Sequence, residues 1–288
     1  MFSSLVENNV ILKPYTTFKI GGQADFFAVI KTQPDLIKII TEAKQNQVPY
    51  FILGNGSNIL VADTGYRGLV IKLELNNIAA NNSEVTADAG ATLGTVLGFC
   101  KDHGLSGLEF LSGIPATIGG AIWGNIGSTV NSISRLIKTV TILNENNEVQ
   151  TITSKDCEFC YRDSIFKKKN YIILSAIFSL KSKKSEVMEK NMKITVQKKI
   201  KDQDLSHPSA GSIFKNPEGL KAWELIEKAG MRGYQIGGAK VSEKHANFII
   251  NTGKATASDV IMLISLIKQK VRDNLGVQLM EEIKCIGF

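Results

Sequence analysis

At 288 residues, 43% hydrophobic and 21% charged, the chain has the make-up of a folded soluble protein, with length for two or three domains rather than one core. No apolar run approaches the ~18 residues of a membrane span, and Met1 to Asn8 lack a basic and then apolar leader, so a cytoplasmic location without a membrane partner is expected. The net charge of +7 suits nucleic acid, anionic lipid or small anionic ligands; no helix-turn-helix, RNP or zinc-finger pattern accompanies the lysines, so nucleic acid is not expected.

In chain order, Ala24 to Ile30 reads as a strand, and Thr32-Gln33-Pro34 opens a helix with Leu36, Ile37, Ile39, Ile40 and Ala43 on one face. Tyr50 to Leu53 is a buried strand that delivers the loop Gly54-Asn55-Gly56-Ser57-Asn58. This order imitates a dinucleotide-binding βαβ unit, but the third glycine of GxGxxG is missing and no helix pattern follows, which excludes that fingerprint. Strands are expected at Leu69 to Leu73 and Glu84 to Asp88, and a helix at Thr92 to His103. Then comes an uncharged stretch, Ser112 to Ser128, in which five of seventeen residues are glycine. A hairpin over Lys138 to Leu143 and Glu148 to Ile152, a strand from Tyr171 to Leu180 and a helix from Ser185 to about Leu205 complete the middle region. The last part predicts a helix from Leu220 to Ala229, a strand from Asn247 to Asn251, a helix from Ser258 to about Asn274, and a closing strand within Val277 to Gly287 that carries Glu282 in its middle.

Cys157-Glu158-Phe159-Cys160 has CxxC spacing, but no second CxxC or HxxxH completes a site, and Cys100, Cys285 and the three histidines are scattered, so no metal is expected. The two glycine-rich segments are more telling. Glycine lets a ligand approach the main chain, and bared N–H groups cradle phosphate without any buried cation. Two such loops about sixty residues apart suggest one long ligand bearing a diphosphate, gripped from two domains. The alternative is that each is a tight turn between packed elements.

Five blocks occur in order: Gly54-Asn55-Gly56-Ser57-Asn58; Gly113-Ile114-Pro115-Ala116-Thr117-Ile118-Gly119-Gly120; Tyr161-Arg162-x-Ser164-x-Phe166-Lys167; Gly211-Ser212-Ile213-Phe214-Lys215-Asn216-Pro217; and Glu282-Ile283-Lys284. Together, from about Tyr15 to Gly287, they resemble the UDP-N-acetylenolpyruvoylglucosamine reductase family of flavoenzymes. The resemblance implies an α+β chain: a two-subdomain FAD-binding region of the PCMH/vanillyl-alcohol-oxidase type (1–67 and 68–205), then a C-terminal α/β substrate-binding domain (206–288). It implies FAD, NADPH as reductant, and reduction of UDP-N-acetylglucosamine enolpyruvate to UDP-N-acetylmuramate in peptidoglycan synthesis.

The resemblance also assigns residues. Gly54, Asn55, Gly56, Ser57, Asn58, Gly113, Ile114, Pro115, Ala116, Thr117, Gly119, Gly120, Ala121, Asn125 and Gly127 are expected at the cofactor, and Lys215 and Asn216 at the substrate. Arg162 would hold the enolpyruvyl carboxylate with its planar fork. Ser212 would give a proton to C2, and Glu282 would assist on the carboxyl side. Lys284 stands where many relatives have arginine. Lys240 to Asn251 matches the family without assigned roles. Only Lys181 to Lys184 separates strand from helix, which implies the shorter type without an extra tyrosine loop. The oligomeric state stays open, with a monomer the working expectation. Two rivals are weighed: an oxygen-using flavoprotein oxidase of the same fold, and a nucleotide-binding module without catalysis. A yellow preparation separates the second from an enzyme; reversal of NADPH bleaching by the enolpyruvyl sugar separates the first.

Overall fold

The secondary structure follows from caps and burial patterns that can be read locally. In α1 (Gln33–Gln45) the Thr32 hydroxyl accepts the Asp35 N–H at 3.2 Å, and Leu36, Ile39, Ile40 and Ala43 form its buried stripe. Thr92 caps α2 (Leu93–Asp102) in the same way, burying Leu93, Val96, Leu97 and Cys100. The computed structural model describes residues 2–128 and 131–288. The chain forms two compact units, each assembled from separated stretches: Met1–Glu7, Phe27–Asn55 and Leu69–Lys199 in the first, Asn8–Phe26, Gly56–Gly68 and Ile200–Phe288 in the second.

The first unit is built on a five-stranded antiparallel sheet in the order Val149–Thr153, Ile137–Leu143, Ile172–Ser179, Glu84–Asp88 and Ile78–Asn81. Alternation along these strands buries Val140, Ile142, Ala176, Phe178, Val85 and Ala87. The short α3 (Ile118–Trp123), which lies inside the glycine-rich stretch, buries Ile118, Ala121 and Ile122. Tyr50–Leu53 runs parallel to Leu69–Lys72 in the same unit. α4 (Ser185–Asp202) follows Ser179 after only a two-residue strand, Lys181–Ser182, so the tyrosine loop is absent here. α4 ends three residues before the expected Leu205, because the Asp204 carboxylate takes up the Ser206 N–H and hydroxyl in a local turn.

The second unit contains a four-stranded antiparallel sheet in the order Ser209–Ser212, Phe248–Asn251, Ala239–Val241, Gln235–Ile236. α5 (Ala222–Lys228) and α6 (Ala257–Leu275) share one apolar core with it, built from Ile213, Phe214, Ile226, Ile249, Val260, Leu263 and Ile267. The closing strand is shorter than expected. Only Lys284–Ile286 is strand, paired in parallel with Ile59–Val61, and Glu282 lies just before it. The reason is a change of partner. Lys215 N–H donates to Met280 O at 2.9 Å and Phe214 bridges to Glu281, so the segment first follows Phe214 and only then joins Ile59–Val61.

No helix among the described residues is long and apolar enough to cross a membrane. No group of three or more His, Cys, Asp or Glu side chains among them comes together to hold a metal.

The start of α6 is fastened twice. Thr256 and Asp259 form a capping box, and the Asp63 carboxylate accepts the Ala257 and Ser258 N–H groups at 2.8 and 3.0 Å. Asp63→Ala orphans those donors and removes a favourable anion at the helix start, so unfolding in urea should become easier by about 1–2 kcal/mol. A change below about 0.3 kcal/mol would show that Thr256 and Asp259 suffice.

Candidate active site

In the first unit the two glycine-rich segments meet. The Asn55 amide donates to Pro115 O at 2.9 Å, and a Cβ at Gly54 would lie 2.6 Å from the Thr117 hydroxyl. Gly54 is therefore required by the protein's own packing: any side chain there would drive the loop off Thr117. A Cβ at Gly119 would likewise press on Ala89, 3.0 Å away.

The amides of these segments divide into two sets. Those opening α3 are spent within the protein: Ile118 on Ala91 O, Gly119 on Ala89 O and Gly120 on the Thr117 hydroxyl. The main-chain N–H groups of Asn55, Gly113 and Thr117 donate to no described residue. A half-buried lysine stands beside each of these segments. Lys72 Nζ donates to Gly54 O at 3.1 Å, and Lys199 Nζ donates to Ser112 O at 2.6 Å beside Gly113. Desolvation brings the Lys199 ammonium down from 10.5 to about 8.

Arg162 sits on a tight turn of the same unit. Cys160 and Asp163 exchange main-chain hydrogen bonds at 3.1 and 3.2 Å, and Arg162 has φ of 54°, the left-handed region. Asn125, also left-handed at φ 40°, directs its amide to Cys160 O at 2.7 Å and accepts the Ser134 N–H. Ala121 is buried, and the half-buried Gly127 bridges to Ser132. Ile114 N–H donates to Leu111 O and Ala116 is buried, which leaves Gly113 as the open point of that turn.

The second unit carries the other expected residues. Gly56 is left-handed at φ 61°, and a Cβ there would strike Tyr15 O. Thr17 ties this loop to the strand Ser209–Ser212, with its N–H on Gly56 O at 3.1 Å and its hydroxyl on Ser209 O at 2.7 Å. The N–H groups of Gly56, Ser57 and Asn58 donate to no described residue, while the Asn58 amide holds Glu282 O at 3.2 Å and Asn58 O takes the Lys284 N–H at 3.0 Å.

Ser212 ends its strand opposite Phe248, after Gly211 at φ 74°. It is half-buried, and its hydroxyl makes no hydrogen bond to a described residue. Glu282 N–H donates to Ile213 O at 2.7 Å, which puts the glutamate backbone alongside the residue after the serine. Lys215 is half-buried; Asn216 is exposed and spends its side-chain oxygen on the Ala222 N–H at 2.9 Å, at the start of α5. Gathered in this unit are Gly56 to Asn58, Ser212, Lys215, Asn216 and Glu282.

These geometries can be set against known proteins. One family model, described as UDP-N-acetylenolpyruvoylglucosamine reductase, C-terminal domain, matches residues 203–286, and an FAD binding domain model matches residues 24–153. A UDP-N-acetylenolpyruvoylglucosamine reductase of Caldanaerobacter subterraneus subsp. tengcongensis is 45% identical over 280 residues, covering 97% of this chain and 93% of its own. The chain belongs to the UDP-N-acetylenolpyruvoylglucosamine reductase family. A reductase of the same name from Lactobacillus acidophilus is 40% identical over 284 residues, 98% of this chain and 95% of its own. The crystal structure of the family's Thermus caldophilus member superposes with a TM-score of 0.82 at 31% identity, covering 98% of each chain.

The residues fit the cofactor that the family's FAD-binding domain holds. A diphosphate needs main-chain donors not already committed; Asn55, Gly113 and Thr117 in the first unit carry such N–H groups, and so do Gly56, Ser57 and Asn58 in the second. Sequence reasoning missed Asn247, which organises the Ser212 end of the family's C-terminal domain. It accepts the Phe214 N–H at 2.9 Å and donates to Phe214 O at 2.8 Å. The signal was present, since Asn247 lies in the matching Lys240 to Asn251 segment, but no motif announced its role.

Two outcomes test this description. Gly56→Ala should lower the urea stability of the apoprotein by about 1–3 kcal/mol as well as its affinity for FAD, because the strain and clash are with protein atoms. Unchanged apoprotein stability would leave only a ligand role for that glycine. For Lys199 the folded chain gives up its proton near pH 8 while the unfolded chain keeps it to about 10.5. Stability relative to Lys199→Met should therefore be flat below pH 8 and rise with pH across that window. A difference that is constant or falls there would contradict the desolvation.

Proposed function

We propose that this chain catalyses the NADPH-dependent reduction of UDP-N-acetylglucosamine enolpyruvate to UDP-N-acetylmuramate, with FAD as cofactor, in peptidoglycan precursor synthesis. FAD, when bound, would supply the hydride chemistry that links NADPH to C3 of the enolpyruvyl group. The protein's tasks are to hold the reactants, to tolerate negative charge at C2 and to protonate it. In this reading residues 1–67 and 68–205 serve the flavin and 206–288 the substrate. The enzyme acts in the cytoplasm as a monomer.

The observation that supports the residue roles best is the Ser212 hydroxyl, uncommitted on a strand end whose next carbonyl takes the Glu282 N–H at 2.7 Å. A serine hydroxyl is a weak acid, but a carbanion next to a carboxylate is a strong base, so a placed hydroxyl can act as the proton donor. Arg162 holds the enolpyruvyl carboxylate with two parallel N–H donors, which keeps that anion planar and draws developing charge toward the carboxyl group. Glu282 assists on the carboxyl side. Lys215 and the Asn216 amide contact the sugar nucleotide. Gly54 to Asn58, Gly113, Thr117 and their neighbours hold the cofactor diphosphate.

Ser212 has no part in reduction of the flavin by NADPH. Ser212→Ala should bleach with NADPH at nearly the normal rate and then reoxidise with the enolpyruvyl sugar about 10²–10⁴-fold more slowly. Ser212→Cys should regain part of that loss. Equal slowing of both half-reactions, read by stopped-flow absorbance, would make Ser212 a structural residue. Arg162→Lys should keep flavin content yet lower turnover by about 10–100-fold, since one ammonium cannot reproduce a two-point grip. Near-normal turnover would remove Arg162 from the site.

A further inference from the structure

The turn that presents Arg162 is latched onto the end of α3. A left-handed backbone is unfavourable for an arginine, so the surrounding protein must hold it there. Lys167 is one of the groups that do so. Its Nζ donates to Arg162 O at 2.6 Å, and the same ammonium stands 4.5 Å from the centroid of the Trp123 ring. A carbonyl and an aromatic face thus fix one half-buried cation, an arrangement that resists rotation about the lysine stem. Two further bonds join the same elements: Asn125 Nδ2 to Cys160 O at 2.7 Å, and the buried Ser164 hydroxyl to Trp123 O at 2.8 Å. The short helix that follows the glycine-rich loop therefore ends by gripping the turn at both sides of Arg162.

We infer that Lys167 is a positioning residue for Arg162: by pinning the Arg162 carbonyl against Trp123 it sets the direction of the guanidinium toward the substrate carboxylate. The inference rests on the reading of Arg162 as the carboxylate holder. It gives Lys167 no direct contact with substrate. Misplacement of a charged clamp by about an ångström is enough to cost up to about 10²-fold.

The test uses the flavin-loaded enzyme and two neutral variants, Lys167→Met and Lys167→Gln, with Lys167→Arg as the conservative control. Calorimetry gives the affinity of the oxidised enzyme for the enolpyruvyl sugar nucleotide and for UDP-N-acetylglucosamine, which lacks the carboxylate. Stopped-flow absorbance gives the two half-reactions. The neutral variants should bind the enolpyruvyl compound about 10–100-fold more weakly and reoxidise more slowly by a similar factor. Binding of UDP-N-acetylglucosamine and reduction by NADPH should stay within about twofold, and the arginine variant should regain most of the loss. In an Arg162→Ala background Lys167→Met should add less than about threefold, because the group it aims is gone. A full further loss in that background would mean that Lys167 acts on substrate independently and would overturn the proposal. So would unchanged binding in the neutral variants, or loss of flavin from both of them, which would make Lys167 a residue of the fold. Should Arg162→Ala alone leave carboxylate binding and reoxidation intact, the reading of Arg162 fails first, and that result is separate from the behaviour of the lysine variants.

Discussion

Asn247 is committed to the two-residue segment Ile213-Phe214. Its amide oxygen accepts from Phe214 N–H at 2.9 Å, its amide nitrogen donates to Phe214 O at 2.8 Å, and its own carbonyl takes the Ile213 N–H at 2.9 Å. Both Asn247 and Phe214 are buried, so breaking the pair would leave main-chain groups without water or partner, at roughly 1–3 kcal/mol each. That asymmetry makes the clamp a constraint rather than an ornament. It releases the chain from regular pairing after Ser212, turns Phe214 into the core and leaves Ile213 O facing Glu282 N–H. The serine, the following lysine and the glutamate take their places from this one asparagine and the phenylalanine it fixes.

The glycine-rich loops show the same economy of cause. Gly54 is small because Thr117 touches it, and Gly56 because Tyr15 O does. Close packing of loop on protein then leaves neighbouring amides pointing away from protein partners. The amides at the start of α3, the obvious candidates by helix geometry, are instead consumed by Ala89, Ala91 and Thr117. Lys72 and Lys199 stand next to the loops, each on a carbonyl, so positive charge is held beside the cradle without entering the sequence of either loop.

Much of this was legible in the sequence, for identifiable reasons. Strand Tyr50–Leu53 and helix α2 came out at their true positions because apolar periodicity and Thr92 mark them locally. The five motif blocks led to the family and the cofactor. What stayed hidden depends on contacts distant along the chain. Glu282 was expected within a strand, but its neighbours pair first with Phe214 and Lys215, and no local pattern encodes a change of partner. Ile59–Val61 was overlooked since three apolar residues after a turn carry no period, and their partner, Lys284–Ile286, lies at the other end of the chain. Asn247 looked like the first residue of a strand. Lys199 looked like one of many lysines on a solvated helix face, and only its seat on Ser112 O sets it apart.

The assignment of Arg162, Ser212 and Glu282 to one reaction is tested most directly by a crystal structure of the oxidised, flavin-loaded enzyme with the enolpyruvyl sugar nucleotide bound. The account expects the Ser212 hydroxyl oxygen within about 3–3.5 Å of C2 and the Arg162 guanidinium on the enolpyruvyl carboxylate. A substrate whose C2 is out of reach of Ser212, or whose carboxylate is held by other groups, would contradict it.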